Sequence, residues 1–162
     1  MNEINILVVS DSHGNIDNMR RAVELIRPDM LLHLGDGLRD AEALSGLFPT
    51  LHMETVPGNC DYRRDEPAER VILAGGRRIM LCHGHTLGVK NELGLLLRSA
   101  LERGADAVLF GHTHKPFVDI RRGVVMLNPG SIGSAARPTF GTLTLGENSL
   151  IPATHVLKLE NH

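Results

Sequence analysis

Ile4-Asn5-Ile6-Leu7-Val8-Val9-Ser10-Asp11-Ser12-His13-Gly14-Asn15 is the stretch from which the fold class follows. Ile4 to Val9 is a nearly continuous apolar, β-branched run, the composition of a central strand buried on both faces. At Ser10 the chain turns polar. A helix is expected next, because Ile16, Met19, Ala22, Val23 and Ile26 recur at helical spacing. Pro28 ends it, and Asp29 to Leu34 reads as a second strand closed by Gly35-Asp36-Gly37. Strand, helix and strand in this order form a parallel, right-handed unit.

A short helix around Asp40 to Leu47 and a third strand, Leu51 to Val56, continue the alternation as far as Pro57-Gly58-Asn59-Cys60-Asp61. Beyond the charged loop Arg64-Asp65-Glu66-Pro67, two apolar runs around Gly75-Gly76 read as a β-hairpin whose second strand ends in His83-Gly84-His85. Leu93, Leu96, Leu97, Ala100 and Leu101 predict a helix from about Val89 to Arg103, with Gly104 just past its end. Ala107 to Phe110 is a short buried strand running into Gly111-His112-Thr113-His114. If the extended backbone continues through that stretch, its two imidazoles lean to the same side. Phe117 to Ile120 and Val124 to Leu127 flank a turn at Arg121-Arg122-Gly123, and two last strands are expected near Thr142 to Leu145 and His155 to Leu159. Alternation in the first half and hairpins in the second predict a layered α/β sandwich with mixed sheets, within one domain spanning residues 1–162.

The 162 residues are 42% hydrophobic and 22% charged, an ordinary globular composition with room for a real core. A net charge of -2 offers no general basic field for nucleic acid or an anionic membrane. Aromatics are sparse, with one Tyr, four Phe and no Trp, which excludes a stacking platform for single strands. Cys60 and Cys82 lack CxxC spacing and read as reduced thiols, and no apolar run is long enough for a membrane span, so a cytoplasmic protein is expected.

Polar residues recur where one strand after another ends: Asp11 and His13, Asp36, Asn59, His83, then His112 and His114. In α/β sheets such ends gather on one edge. Seven oxygen and nitrogen ligands exceed the four that one tetrahedral zinc takes. They suit two ions about 3.5–4 Å apart that share a carboxylate. Asp36, the lone carboxylate of Gly35-Asp36, is the candidate bridge.

The ordered series Asp11-x-His13, Gly35-Asp36, Gly58-Asn59-x-Asp61, His83-Gly84-His85 and Gly111-His112-x-His114 resembles the calcineurin-like metallophosphoesterase superfamily, and within it the small bacterial and archaeal phosphodiesterases. The resemblance runs from residue 4 to about residue 138. It implies a four-layer α/β/β/α sandwich with two mixed sheets. It also implies a phosphodiesterase in which a metal-bridging hydroxide attacks in line. Asp11, His13, Asp36 and His114 would hold one ion, and Asp36, Asn59, His83 and His112 the other. The implied metal is manganese foremost, with nickel, iron or zinc as the other choices. The implied substrate is a small phosphodiester, and small relatives are often dimers or tetramers. Two rivals share the fold: a phosphomonoesterase, and a silent protein-binding scaffold like the retromer subunit of eukaryotes.

Where many relatives carry a His after the Asn, this chain has Cys60. A thiol with an ordinary pKa of about 8.5 is a poorer proton donor to a leaving group, so diesters or esters with good leaving groups should be favoured. Asp61 is expected to orient a neighbouring group, and His85 to contact substrate or support a ligand. Relatives often continue from the Asn128-Pro129-Gly130-Ser131 region to Pro-Arg, whereas this chain has Ala136-Arg137-Pro138, so a substrate role for Arg137 does not follow from the resemblance. His33 reads as a satisfied core histidine or one that supports a ligand, and His52, His155 and His162 as structural or surface residues. Cys82 reads as a small buried hydrophobe. Arg63, Arg64, Arg121 and Arg122 read as solvated surface, with Arg63 and Arg64 close enough behind Asn59 to reach a phosphate.

Overall fold

Ile6 and Val8 leave the first strand, β1 (Ile4–Val9), on one side, and Leu7 and Val9 on the other; all four are fully buried. Both faces of β1 are therefore covered, as its apolar run requires. The computed structural model describes residues 2–62 and 66–158. The elements that follow are α1 (Ile16–Ile26), β2 (Met30–His33), α2 (Leu38–Leu47), β3 (His52–Thr55), β4 (Glu69–Ala74), β5 (Arg77–Cys82), a short 3-10 turn at His85–Leu87, α3 (Gly94–Glu102), β6 (Ala107–Leu109), β7 (Pro116–Arg121), β8 (Val124–Pro129), β9 (Thr139–Leu145) and β10 (Leu150–Val156).

The strands form two five-stranded mixed sheets, ordered β10-β9-β1-β2-β3 and β4-β5-β6-β8-β7. In the first, β1, β2 and β3 run parallel and the β9–β10 hairpin joins antiparallel. In the second, β5, β6 and β8 run parallel between antiparallel edges. Ile6, Val8 and Leu32 pack between the sheets against Ile79, Leu81, Leu109 and Leu127. The other face of the first sheet, Leu7, Val9 and Leu31, is covered by Met19, Ala22 and Val23 of α1 and Leu44 of α2. The other face of the second sheet, Met80, Val108 and Met126, is covered by Leu96 and Ala100 of α3. Helix, sheet, sheet, helix is the four-layer sandwich expected. Each fully buried Leu or Ile in these layers contributes about 1.5–3 kcal/mol of transfer free energy.

Asn15 caps α1 by accepting from the Asn18 N–H at 3.0 Å. The hairpin turns are also chemically determined: Gly75 and Gly76 lie at φ 54° and 75°, and Arg122 and Gly123 at 51° and 77°, the left-handed pair that matches strand twist. Several boundaries differ from expectation. The helix expected from Val89 begins only at Gly94; residues 88–91 form a separate turn in which Gly88 O accepts from the Asn91 and Glu92 N–H groups, while Val89 and Leu93 still pack into the α3 core. Helix α2 begins at Leu38, two residues early, and the last strand is Leu150–Val156 rather than His155 to Leu159. Pro152 is tolerated in that strand because β10 is a sheet edge. Leu159 and His162 lie outside the described residues, as do Arg63 and Arg64.

Candidate metal centre

Parallel strands of both sheets end on one side, and the loops that follow are stitched together there. The Asp11 N–H donates to Gly35 O (2.9 Å), Gly111 N–H to His83 O (2.9 Å), and Ile132 N–H to Ser10 O (3.1 Å). His83 crosses between the sheets, its Nδ1–H donating to Leu34 O at 2.8 Å. Hydrogen bonding through Nδ1 leaves its Nε2 facing the cluster.

There Nε2 of His114 lies 3.1 Å from Asp11 Oδ1, and the Nε2 atoms of His13 and His83 each lie 3.7 Å from the same oxygen. Asp36 Oδ2 lies 3.3 Å from His83 Nε2 and 3.9 Å from His13 Nε2. His112 joins through its Nδ1, 3.2 Å from His83 Nε2. Two sets of possible ligands result, Asp11 with His13 and His114, and Asp11 with Asp36 and His83. Asp11 thus belongs to both, which spacing alone did not reveal.

The donor set fits divalent cations. Asp11 Oδ1 is fully buried yet accepts no hydrogen bond, a costly state for a carboxylate oxygen unless a cation occupies the space before it. Mixed imidazole and carboxylate donors suit manganese, iron, nickel or zinc. Burial raises the Asp36 carboxyl, but contact with His83 and the Cys60 N–H at 2.8 Å outweigh it and hold the group well below the usual carboxylate range. Burial opposes charge on His83, while Asp36 and Asp11 raise its pKa overall. Burial and His83 lower both His85 and His112.

The backbone around these groups is strained. Asp11, His13, Asp36, His112 and His114 all lie at positive φ, between 43° and 70°, and among the described residues only Arg27 and Arg122 are other non-glycine cases. The backbone is therefore not extended through Gly111-His112-Thr113-His114, and the condition for both imidazoles leaning to one side is not met. Left-handed turns send His112 toward His83 and His114 toward Asp11 and His13. Such conformations cost about 1–3 kcal/mol each and persist only where surrounding contacts hold them.

Those contacts come from Asp61, expected to orient a neighbouring group, and from Asn128, Ser10, Ser12 and Asp40, which sequence reasoning passed over. The Asp61 carboxylate accepts four backbone N–H groups: Asp36 (2.7 Å), Gly37 (3.0 Å), Leu38 (3.1 Å) and Gly58 (2.9 Å). It caps α2 and locks the Asp36 loop to the Asn59 loop, so its place is positioning and not contact with reacting atoms. Asn128 donates to Gly111 O and Thr113 Oγ1, both at 3.0 Å, and so holds the histidine loop. Ser10 Oγ donates to Asp11 Oδ2 at 2.6 Å. Ser10 and Ser12 flank Asp11 in a strand-end loop, which was the available signal; Asp40 looked like an ordinary first-turn acid.

His33 is part of this support. Gly35 N–H donates to its Nδ1 (3.1 Å), so Nε2 carries the proton and donates to Ser12 Oγ (2.9 Å), whose own proton goes to Asp40 Oδ2 (2.6 Å). Burial lowers His33 to about 4, against the pull of Asp61, Asp11 and Asp40. A histidine with a depressed folded pKa stabilises above its unfolded pKa of about 6.5, and that contribution is lost as pH falls toward 4. We expect the chelator-treated protein to lose up to about 3 kcal/mol through this group across that window. Urea unfolding of His33→Gln should show a correspondingly flatter pH profile.

Asn59 and Cys60 sit exposed at the rim, the Asn59 amide donating to Cys60 Sγ at 3.7 Å. Partial burial and then Asp36 push the Cys60 thiol upward, so it stays protonated. His85 stands 5.4 Å from His83 and 6.2 Å from His112 between ring centroids, and its Nδ1 is buried without a partner. His155 stacks on Phe140 at 5.0 Å, His52 pairs with Glu54 at the surface, and Arg121 pairs with Asp119. Cys82 is buried, with its thiol pushed to about 12 by burial. No helix among the described residues is long and apolar enough to cross a membrane.

The profile of the calcineurin-like phosphoesterase superfamily domain matches residues 4–148. The probable metallophosphoesterase YsnB of Bacillus subtilis is 36% identical over 132 residues, 80% of this chain and 75% of that one. Phosphodiesterase YfcE of Escherichia coli is 30% identical over 152 residues, 78% of each chain. A crystal structure of a predicted phosphoesterase from Streptococcus pneumoniae superposes with a TM-score of 0.80 at 26% identity, covering 96% of this chain and 91% of that one. Matching layers, a cation-ready cluster at the strand ends and these relatives agree: the chain belongs to the calcineurin-like phosphoesterase superfamily and is a phosphoric ester hydrolase.

Proposed function

We propose that this protein is a dinuclear metal-dependent phosphodiesterase acting on small diesters. The observation that carries the reading is Asp11 Oδ1, buried, without a hydrogen-bond partner and ringed by the Nε2 atoms of His13, His83 and His114. Asp11, His13, Asp36 and His114 would hold one ion, and Asp36, Asn59, His83 and His112 the other. The contacts of Asp36 with both His13 and His83 support it as the shared ligand. Manganese is the first candidate, with nickel, iron and zinc behind it. Bound divalent ions supply positive charge toward phosphate oxygens and lower the pKa of water.

The chain's own residues do the rest. Asp61 and the His33–Ser12–Asp40 hydrogen bonds hold the backbone of the Asp36 and Asp11 loops before any ion arrives, which limits reorganisation during reaction. His85 is kept neutral near pH 7 beside His83 and His112, where it can meet a phosphate oxygen or its proton. Cys60, kept as a thiol, offers no imidazolium to a poor leaving group. Cys60 and Cys82 are both free, as in a reducing cytoplasm.

With Mn²⁺ added, the protein should hydrolyse bis-p-nitrophenyl phosphate faster than p-nitrophenyl phosphate. Equal or faster monoester turnover would reverse the diester assignment. No hydrolysis of either under any divalent metal would leave the fold as a binding scaffold.

A further inference from the structure

Beside the histidines lies a cleft of about 600 Å³, with His13 and His114 on its lining together with Ser131, Ser134, Arg137 and Thr139. None of its lining residues carries a carboxylate. Arg137 is exposed, and among the described residues its guanidinium makes no hydrogen bond or ion pair, unlike Arg70 on Glu54, Arg103 on Glu69 and Arg121 on Asp119. The cleft therefore holds an uncompensated cation facing the same space as two candidate ligands.

Its backbone is not free to drift. The Arg137 N–H donates to Ser134 Oγ at 3.1 Å, and the carbonyl of the next residue, Pro138, accepts from Leu157 N–H at 2.8 Å. The preceding segment rests on Asp11 itself: Ser131 Oγ–H donates to Asp11 O at 2.8 Å and Gly133 N–H to the same oxygen at 3.3 Å. A Cβ at Gly133 would strike the carbonyls of Ser12 and Asp11, so the two loops approach as closely as glycine allows. Arg137 is thus fixed relative to the cluster through one short run of backbone.

We infer that this cleft is a subsite for a second anion on the substrate, carried on one ester arm and received by Arg137 with the Ser134 hydroxyl alongside. The inference rests on the phosphodiesterase reading and narrows it to diesters with a phosphate or carboxylate on one arm. A guanidinium fork pairs with both groups in bidentate fashion, so the chemistry is shared and the assay must separate them.

The test uses p-nitrophenyl phosphodiesters whose second arm is ethanol, 3-hydroxypropanoate, ethylene glycol monophosphate or choline, with Mn²⁺-loaded protein. The expected order of kcat/KM places the carboxylate or phosphate arm above ethyl, and choline lowest. Arg137→Ala should lower the anionic-to-ethyl ratio about tenfold, mainly through KM, with Arg137→Lys recovering part of it. The better anionic arm then tells carboxylate from phosphate. A ratio unchanged by Arg137→Ala overturns the subsite while leaving the phosphodiesterase reading intact. Absence of all hydrolysis refutes that reading instead, and a second measurement still decides the subsite. In chelator-treated protein, titration with inorganic phosphate should move the Arg137 Nε–H resonance saturably, and no saturable shift overturns the proposal.

Discussion

Asp11→Asn should cost about a thousandfold in kcat/KM on bis-p-nitrophenyl phosphate, and the same substitution should make the metal-free protein more stable. The two effects have one cause. Asp11 Oδ2 is satisfied by Ser10 Oγ and the His112 N–H, but Oδ1 is buried and accepts nothing. An amide keeps the accepted bonds through its oxygen and turns its NH₂ toward the imidazole nitrogens of His13, His83 and His114. It removes a buried unpaired charge, worth about 1–3 kcal/mol in the chelated state. For metal loading the same change removes a proposed ligand of the first ion and alters a carboxylate whose Oδ1 also lies 3.7 Å from Nε2 of His83, a proposed ligand of the second. Metal counting after dialysis should find both ions reduced in Asp11→Asn. His114→Ala and His112→Ala should each lose chiefly one, because His114 contacts Asp11 while His112 contacts His83. Unchanged metal content in Asp11→Asn would refute the arrangement. A destabilised apo form would show that Oδ1 has partners other than a cation.

The second large effect is expected at a residue that touches no reacting atom. Asp61→Ala strips the acceptor from four backbone N–H groups, on Asp36, Gly37, Leu38 and Gly58. It removes the cap of α2, which is otherwise uncapped because its N-cap is Gly37. It also frees the Asp36 loop to relax from its left-handed backbone at φ 57°. Losing a cap costs about 1 kcal/mol and the remaining donors add to it, so the total should be about 3 kcal/mol in urea unfolding. Metal affinity should fall about 10–100-fold, as for other residues that orient a ligand. Asp61→Asn should recover part of both, since one carbonyl oxygen can still accept from two donors. A variant that loses stability but binds metal as tightly as the parent would show that the Asp36 geometry survives without this anchor.

The strain at the centre links these expectations. Five of the candidate ligands sit at positive φ, which Asp and His tolerate better than most residues but do not prefer. Packing in the three apolar layers, together with anchors such as Asp61 and Asn128, offsets that cost. The centre is thus prearranged at the expense of stability.

From the sequence alone, the layering and the chemistry of the strand ends are legible. Apolar runs bounded by glycine and proline mark β1, β2, β5 and β6, because a strand buried on both faces has no choice of side chain. Asp11, His13, Asp36, His83, His112 and His114 stand out because oxygen and nitrogen donors at successive strand ends are hard to explain by turn chemistry alone. Tertiary structure decided the rest. It placed Asp11 in both ligand sets, turned His112 and His114 apart, assigned Asp61 to backbone N–H groups, and opened the Arg137 cleft beside His114. Each of these depends on contacts between residues far apart in the chain, such as His83 with Leu34 or the His112 N–H with Asp11, which hold backbone conformations that local preference would not select.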